Sequence, residues 1–191
     1  MRRWLLPLLA GLVMAVVGYQ VTAWQYPRAL MTLATGRIAG ASFFGGSVPA
    51  IVFGGSPGGP RVNTMTPTEL ATDKARMIVR PSPDLAYSAC PFDLSKGPVV
   101  VTVAPVPAPY WSLSVFDSWT DVAFVRNNIQ AGNQPIKIAI AKTGQPVPDG
   151  VTAVRVGGDS GIALIRILIP DRAQFAAVDT ARRQSSCKPL G

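Results

Sequence analysis

Residues Trp4 to Ala23 read WLLPLLAGLVMAVVGYQVTA and carry no charge. A helix of this length rises about 30 Å, the thickness of a bilayer's hydrocarbon core. It has no polar face to turn toward water, so it is expected to cross lipid rather than pack inside a soluble core. Arg2 and Arg3 precede it, and the positive-inside rule then keeps the N-terminus in the cytoplasm and exports the rest of the chain. Trp4 at one end, with Trp24 and Tyr26 at the other, fit the aromatic belts of the two interfaces. Arg28 and Arg37 weaken the charge asymmetry without reversing it, because the N-terminal amine adds to Arg2 and Arg3. Val21-Thr22-Ala23 also reads as a small-residue cleavage site. An uncleaved anchor and a cleaved signal peptide both remain open, and the length of the apolar run favours the anchor.

The chain divides into three regions by composition: an anchor or signal at 1–24, a juxtamembrane linker with short helices at 25–75, and a β-rich domain at 76–191. In the linker, 25–41 is expected to continue as a short helix after Pro27, either resting on the membrane surface or extending the anchor. The Gly- and Pro-rich 42–60 allows only brief strand character at Ala50–Phe53. At 66–75 Thr66 is placed to cap a helical turn, with Pro67 first and Glu69 completing a capping box.

From Arg76 the apolar period changes to two. Strands are expected at Met77–Arg80, Ala86–Phe92, Val99–Val103, Tyr110–Phe116, Val122–Arg126, Ile136–Ala141, Val151–Val156 and Ile162–Ile169. Trp111, Leu113 and Val115 share one face of their strand, and Tyr110, Ser112, Ser114 and Phe116 the other. Turn signals fall between the runs at Ser95–Pro98, Ala131–Asn133, Pro148–Gly150 and Gly157–Gly161. A closing helix is expected after Asp171, boxed with Gln174, with Phe175 and Val178 packing on the sheet and Asp179 pairing with Arg183. The fold class is therefore mainly β: an antiparallel sandwich or jelly-roll-like domain with an N-terminal transmembrane helix and a C-terminal helix.

There is no histidine in 191 residues. That removes histidine-based general-base chemistry, Ser-His-Asp triads, Cys-His dyads and nearly every histidine-containing metal site. No catalytic set, metal site or cofactor is expected. Net charge is +8, but the basic residues are scattered and no run exceeds the Arg182-Arg183 pair. A nucleic-acid partner is therefore not expected, and a basic surface near anionic lipid is.

Cys90 and Cys187, the two cysteines, can form one disulfide in an oxidising compartment, or stand as two unrelated thiols. Gly54-Gly55-Ser56-Pro57-Gly58 matches the nucleophile-elbow pattern in letters, but lacks the histidine and the following helix. Asp84, Asp93, Asp117 and Asp121 offer a carboxylate pair for glycoside hydrolysis, or satisfy turn N–H groups. Tyr110, Trp111 and Trp119 offer an aromatic platform, or packing. Ser88 and Lys96 share only the residue types of a Ser-Lys dyad. The candidate binding cluster drawn from these is Asp84, Tyr87, Ser88, Tyr110, Asp117 and Trp119.

Residues 79–128 resemble the bacterial domain of unknown function 1254. Pro81, Asp84, Tyr87 and Ser88 match its first stretch. Asp93, Leu94, Ser95, Gly97 and Pro98 match the second, and Tyr110, Ser112, Leu113 and Asp117 the third. The resemblance implies no catalytic residues, because none are established for the family. It also implies that long members add a second β-rich domain, of the related unknown family 1214, so a separately encoded protein supplying that domain is an expected partner, beside the cytoplasmic membrane itself. The leading functional expectation is a non-enzymatic envelope domain in the periplasm, binding a protein or a glycan. The alternative is a carboxylate-dependent hydrolase of an envelope glycan, which requires Asp84, Tyr87 and Asp117 to converge.

Overall fold

The structure, a computed structural model, describes residues 2–39, 62–70 and 81–190. One helix, α1 (Arg2–Ala39), leads into two β-sheets formed by β1 (Thr66–Pro67), β2 (Leu85–Asp93), β3 (Val99–Val103), β4 (Trp111–Asp117), β5 (Val122–Asn127), β6 (Ile136–Lys142), β7 (Thr152–Val156), β8 (Ser160–Leu168) and β9 (Ser186–Pro189). A 3-10 turn (Arg172–Gln174) and helix α2 (Phe175–Arg182) stand between β8 and β9. The first sheet has the order β1-β2-β8-β4-β5 and the second β7-β6-β3-β9.

The period-two pattern explains the core. Val99, Val101 and Val103 of β3 and Ile136, Ile138 and Ile140 of β6 turn one face of the second sheet inward, with Val154 and Val156 of β7. Ala86, Cys90 and Phe92 of β2, Trp111, Leu113 and Val115 of β4, and Ala163, Ile165 and Ile167 of β8 do the same for the first. Every pairing is antiparallel except β6 with β7, which is parallel. This departs from the all-antiparallel expectation: the long connection 143–151, with its turn at Gly144 and Gly150, returns the chain to the same end of β6.

Helix α1 runs unbroken through Pro27 to Ala39, so the stretch after Pro27 extends the anchor helix, one of the two arrangements the sequence allowed. Proline removes one ladder hydrogen bond there. Packing holds the far side, because Met31 is buried against Ala89 and Ile162 on the outer face of the first sheet, with Ala34, Phe116 and Leu164 around it. The segment 7–36 is long and apolar enough to cross a membrane, and none of its apolar window is buried.

Two further expectations are corrected. Thr66 caps no helix; Thr66 and Pro67 pair with Ala89 and Ser88 as an edge strand. The Thr68 N–H and hydroxyl both donate to the Tyr87 carbonyl, at 2.9 and 3.0 Å. These tertiary bonds override the local capping signal. Asp171 accepts from the Ala173 N–H at 2.9 Å, but Gln174 makes no side-chain cap, so the start is a 3-10 turn rather than a box. The expected strand at Met77–Arg80, the segment Ala50–Phe53 and the Gly54–Gly58 match lie outside the described residues.

Two clamps tie the layers together. Cys90 on β2 is bonded to Cys187 on β9, one sheet to the other, across a sequence separation of 97. Arg182 of α2, its side chain only 1% exposed, donates to the Tyr87 carbonyl and the Thr68 carbonyl, both at 2.6 Å. It is neutralised by Asp179, which also receives Arg183 at 2.7 Å. Burial lowers the Arg182 pKa from its ordinary high value, against the hydrogen bond to Asp179 that supports the charge. Burial also opposes ionisation of Asp179, but hydrogen bonds from Arg183 and Arg182 outweigh it and hold the carboxyl below its ordinary value.

Reducing the Cys90–Cys187 bond should lower the unfolding free energy by about 4 kcal/mol, the chain-entropy cost of freeing a loop of this length. Urea melts of the full chain with and without reductant test this, and unchanged midpoints contradict it. Arg182→Ala orphans the Thr68 carbonyl and leaves Asp179 half-paired, with an expected loss of about 3 kcal/mol. Because folding depresses the Asp179 carboxyl, its contribution is full above the ordinary value of 3.8 and is lost as pH falls through the folded value. Acid melts of Asp179→Asn should therefore show a flatter fall in stability below pH ~4 than the parent.

Candidate functional site

Strands β2 and β4 both run antiparallel to β8, which lies between them, so they start at the same end of the sheet. This register decides which candidate residues can meet. Asp84 precedes β2 at the starting end, where its carbonyl accepts from the Ile169 N–H at 2.8 Å. Asp117 closes β4 at the other end, opposite Gly161. The stretch of β8 from Gly161 to Ile169 separates them by about 26 Å at 3.3 Å per residue. Asp84 and Asp117 therefore do not converge, and the Asp84–Tyr87–Asp117 arrangement that the hydrolase alternative requires is not formed.

The carboxylates instead build turns. Asp117 is buried, and its Oδ1 accepts from the Trp119 and Asp121 N–H groups at 2.8 and 3.1 Å. Asp93 accepts from the Ser95 N–H at 2.8 Å. The Tyr87 hydroxyl accepts from the Ser82 N–H at 3.1 Å and closes the turn before β2. Ser88 faces the interior from the middle of β2 with its hydroxyl unpartnered, while Lys96 is exposed in the β2–β3 turn; they make no dyad. Trp111 is a core residue, so the expected three-aromatic platform is not assembled.

Two groupings do form on the outer face of the first sheet. At the starting end a polar row crosses four strands, Tyr87 on β2, Arg166 on β8, Ser112 on β4 and Asn127 on β5, each paired with the next. Tyr110 precedes β4 beside this row and is 38% exposed. Arg166 donates to the Ser114 hydroxyl at 3.2 Å, and its Nε and the Ser112 hydroxyl are buried without hydrogen-bond partners among the described residues. A guanidinium beside hydroxyls and two tyrosines is donor-rich and suits recognition of an acceptor-rich group. It holds no nucleophile paired with a base. The sequence reading found Tyr87 and Tyr110 but missed Arg166, Ser112 and Asn127. Arg166 is the one charge within Ile162–Ile169 and stands out of phase with the inward Ile165 and Ile167, which is the signal that marks it.

At the other end, Trp119 projects from the β4–β5 turn onto α1. The Arg28 guanidinium lies over both indoles, 3.4 Å from the Trp119 ring centroid and 4.4 Å from that of Trp24, and the two tilted rings are 5.4 Å apart. The turn that presents Trp119 is strained: Thr120, β-branched, has φ 72°. It is also tightly built, since a Cβ on Gly158 of the β7–β8 turn would collide with the Ser118 hydroxyl.

The family described as Protein of unknown function (DUF1254) matches residues 62–189, well over half of the chain. The chain belongs to that family. The motif residues of this DUF1254 domain thus serve largely as turn formers: Tyr87, Asp93 and Asp117 each satisfy backbone N–H groups. Among solved structures it is similar to the VPA0106 protein of Vibrio parahaemolyticus, with 16% identity and a TM-score of 0.57. That likeness covers 88% of this chain and 37% of that one. It is also similar to an uncharacterized protein from Burkholderia cenocepacia, with 14% identity, a TM-score of 0.41, and coverage of 56% and 31%. The DUF1254 chain therefore spans little more than a third of the Vibrio structure's length. No curated protein matches it.

Thr120→Gly removes the backbone strain and should stabilise the domain by about 1 kcal/mol. A thermal melt that shows destabilisation instead would mean that the threonine's own contacts outweigh the strain.

Proposed function

We propose that this chain is a single-pass protein of the bacterial cytoplasmic membrane, with its N-terminus in the cytoplasm and its sandwich held in the periplasm as a binding domain. The observation that carries this reading is an uncovered apolar helix of spanning length leading into a domain closed by a disulfide. Bare apolar surface of that extent is stable in lipid and not in water. A disulfide between buried cysteines fits an oxidising compartment rather than the cytosol. Arg2 and Arg3 before the apolar run support the orientation.

The binding role is supported by the side chains the sheet gathers. The polar row around Arg166 and Tyr110 offers donors and an exposed ring, while Asp93 and Asp117 are engaged by turn N–H groups and Asp84 lies at the opposite end of the sheet from Asp117. The partner that fits best is a separately encoded β-domain protein of the related unknown family, in keeping with relatives whose chains extend well beyond this domain.

A periplasm-active phosphatase fused after Gly191 should be active, and a fluorescent protein that folds only in the cytosol should be dark; the reverse pattern overturns the orientation. Crosslinking in intact membranes should recover one β-domain companion with the parent chain and several-fold less with Arg166→Ala or Tyr110→Ala. Equal recovery with both variants would remove the polar row from the binding surface.

A further inference from the structure

We infer that the β4–β5 turn is itself a membrane-contacting element, with Trp119 in the lipid headgroup layer and Val122 beside it facing the acyl boundary. The inference rests on the anchored reading above and extends it from the helix to the domain. The uncharged run that begins at Trp4 ends at Pro27, and Arg28 is the first charge after it. Arg28 comes after Trp24 by four positions, about 6 Å along the helix axis. A headgroup layer is roughly 5–8 Å thick on each side of the hydrocarbon core. Trp119 packs at a tilt against that same Trp24 and lies under the Arg28 guanidinium, so its depth is fixed to theirs within about one ring's width. The part of α1 around Trp24 and Arg28, placed at the interface, therefore carries the β4–β5 turn there with it.

The exposed side chains at this corner are of the kind that lies there. Trp24 is 56% exposed, Tyr26 61% and Val122, the first residue of β5, 57%. Amphipathic indole and phenol rings prefer the headgroup level, and an exposed valine gains by leaving water. Held over two indole faces, Arg28 presents a fixed positive charge where lipid phosphates lie. These groups form a direct continuation of the bare apolar surface of α1, which is why lipid rather than a protein partner is the assigned occupant. The sandwich is then seated on the bilayer by its β4–β5 end, and the polar row at the opposite end of the sheet faces away from it.

The test uses the full chain labelled with 5-fluorotryptophan in phosphatidylcholine nanodiscs. Its four tryptophans give four fluorine signals, assigned with Trp4→Phe, Trp24→Phe and Trp119→Phe. Phosphatidylcholine with a nitroxide on the headgroup is then added. Trp24 and Trp119 should both lose most of their intensity, while Trp111, buried at the far end of β4, keeps its own. A sharp Trp119 signal beside a broadened Trp24 signal overturns the inference and leaves the anchor standing. Sharp signals from Trp4, Trp24 and Trp119 together overturn the anchor as well.

Discussion

The arrangement depends on how α1 meets the first sheet. A helix bare along its apolar length would ordinarily be a separate tail. Here its last turns are held at two points, by Met31 packed on β2 and β8 and by the Trp24–Arg28–Trp119 stack at the sheet's end. The first contact is apolar burial and the second combines stacking with a cation over two π faces. Together they carry the helix through Pro27 and fix the direction in which the domain leaves it. The orientation of the sheet relative to α1, and so which of its ends lies beside Trp24 and which is remote, is set by these few side chains.

Behind that face the domain is closed by two devices of different chemistry. The disulfide joins β2 to β9 and so locks the last strand of the second sheet to the first. Arg182 reaches from α2 to two backbone carbonyls and holds the two-residue strand β1 against β2. A strand as short as β1 has too few ladder bonds to stay without such help. The helix α2 is therefore less a cover for the core than a support for a buried cation whose bonds reach the edge where β1 meets β2.

Much of the fold was legible because alternation is a local property. The boundaries of β3, β5 and β6 lie within one residue of where the apolar period begins and ends, and Asp179 pairs with Arg183 as its spacing requires. The parts that were not legible depended on distant residues. Strand β9 is a polar Ser-Cys-Lys-Pro segment that exists because Val101 and Cys90 hold it. Thr66 and Pro67 carry a helix-start signal that loses to the Tyr87 carbonyl. Arg182 reads as a charge suited to a helix C-terminus, and nothing nearby in sequence announces that it is buried. The same logic applies to the candidate site: residue types marked Tyr87, Tyr110, Asp117 and Trp119 as notable, but only the register of β8 shows that the first two share one end of the sheet and the last two the other.

Helix and sandwich form one unit, so a membrane span leaves the domain seated rather than tethered. Hydrogen–deuterium exchange of the full chain in nanodiscs, read over the amides from Arg28 to Gly36, addresses this most directly. If Met31 and Arg28 are docked as described, those amides exchange as slowly as the strands β2 and β8 beneath them. Exchange at the rate of a free peptide while the strands stay protected would show a loose tether and contradict the docked helix.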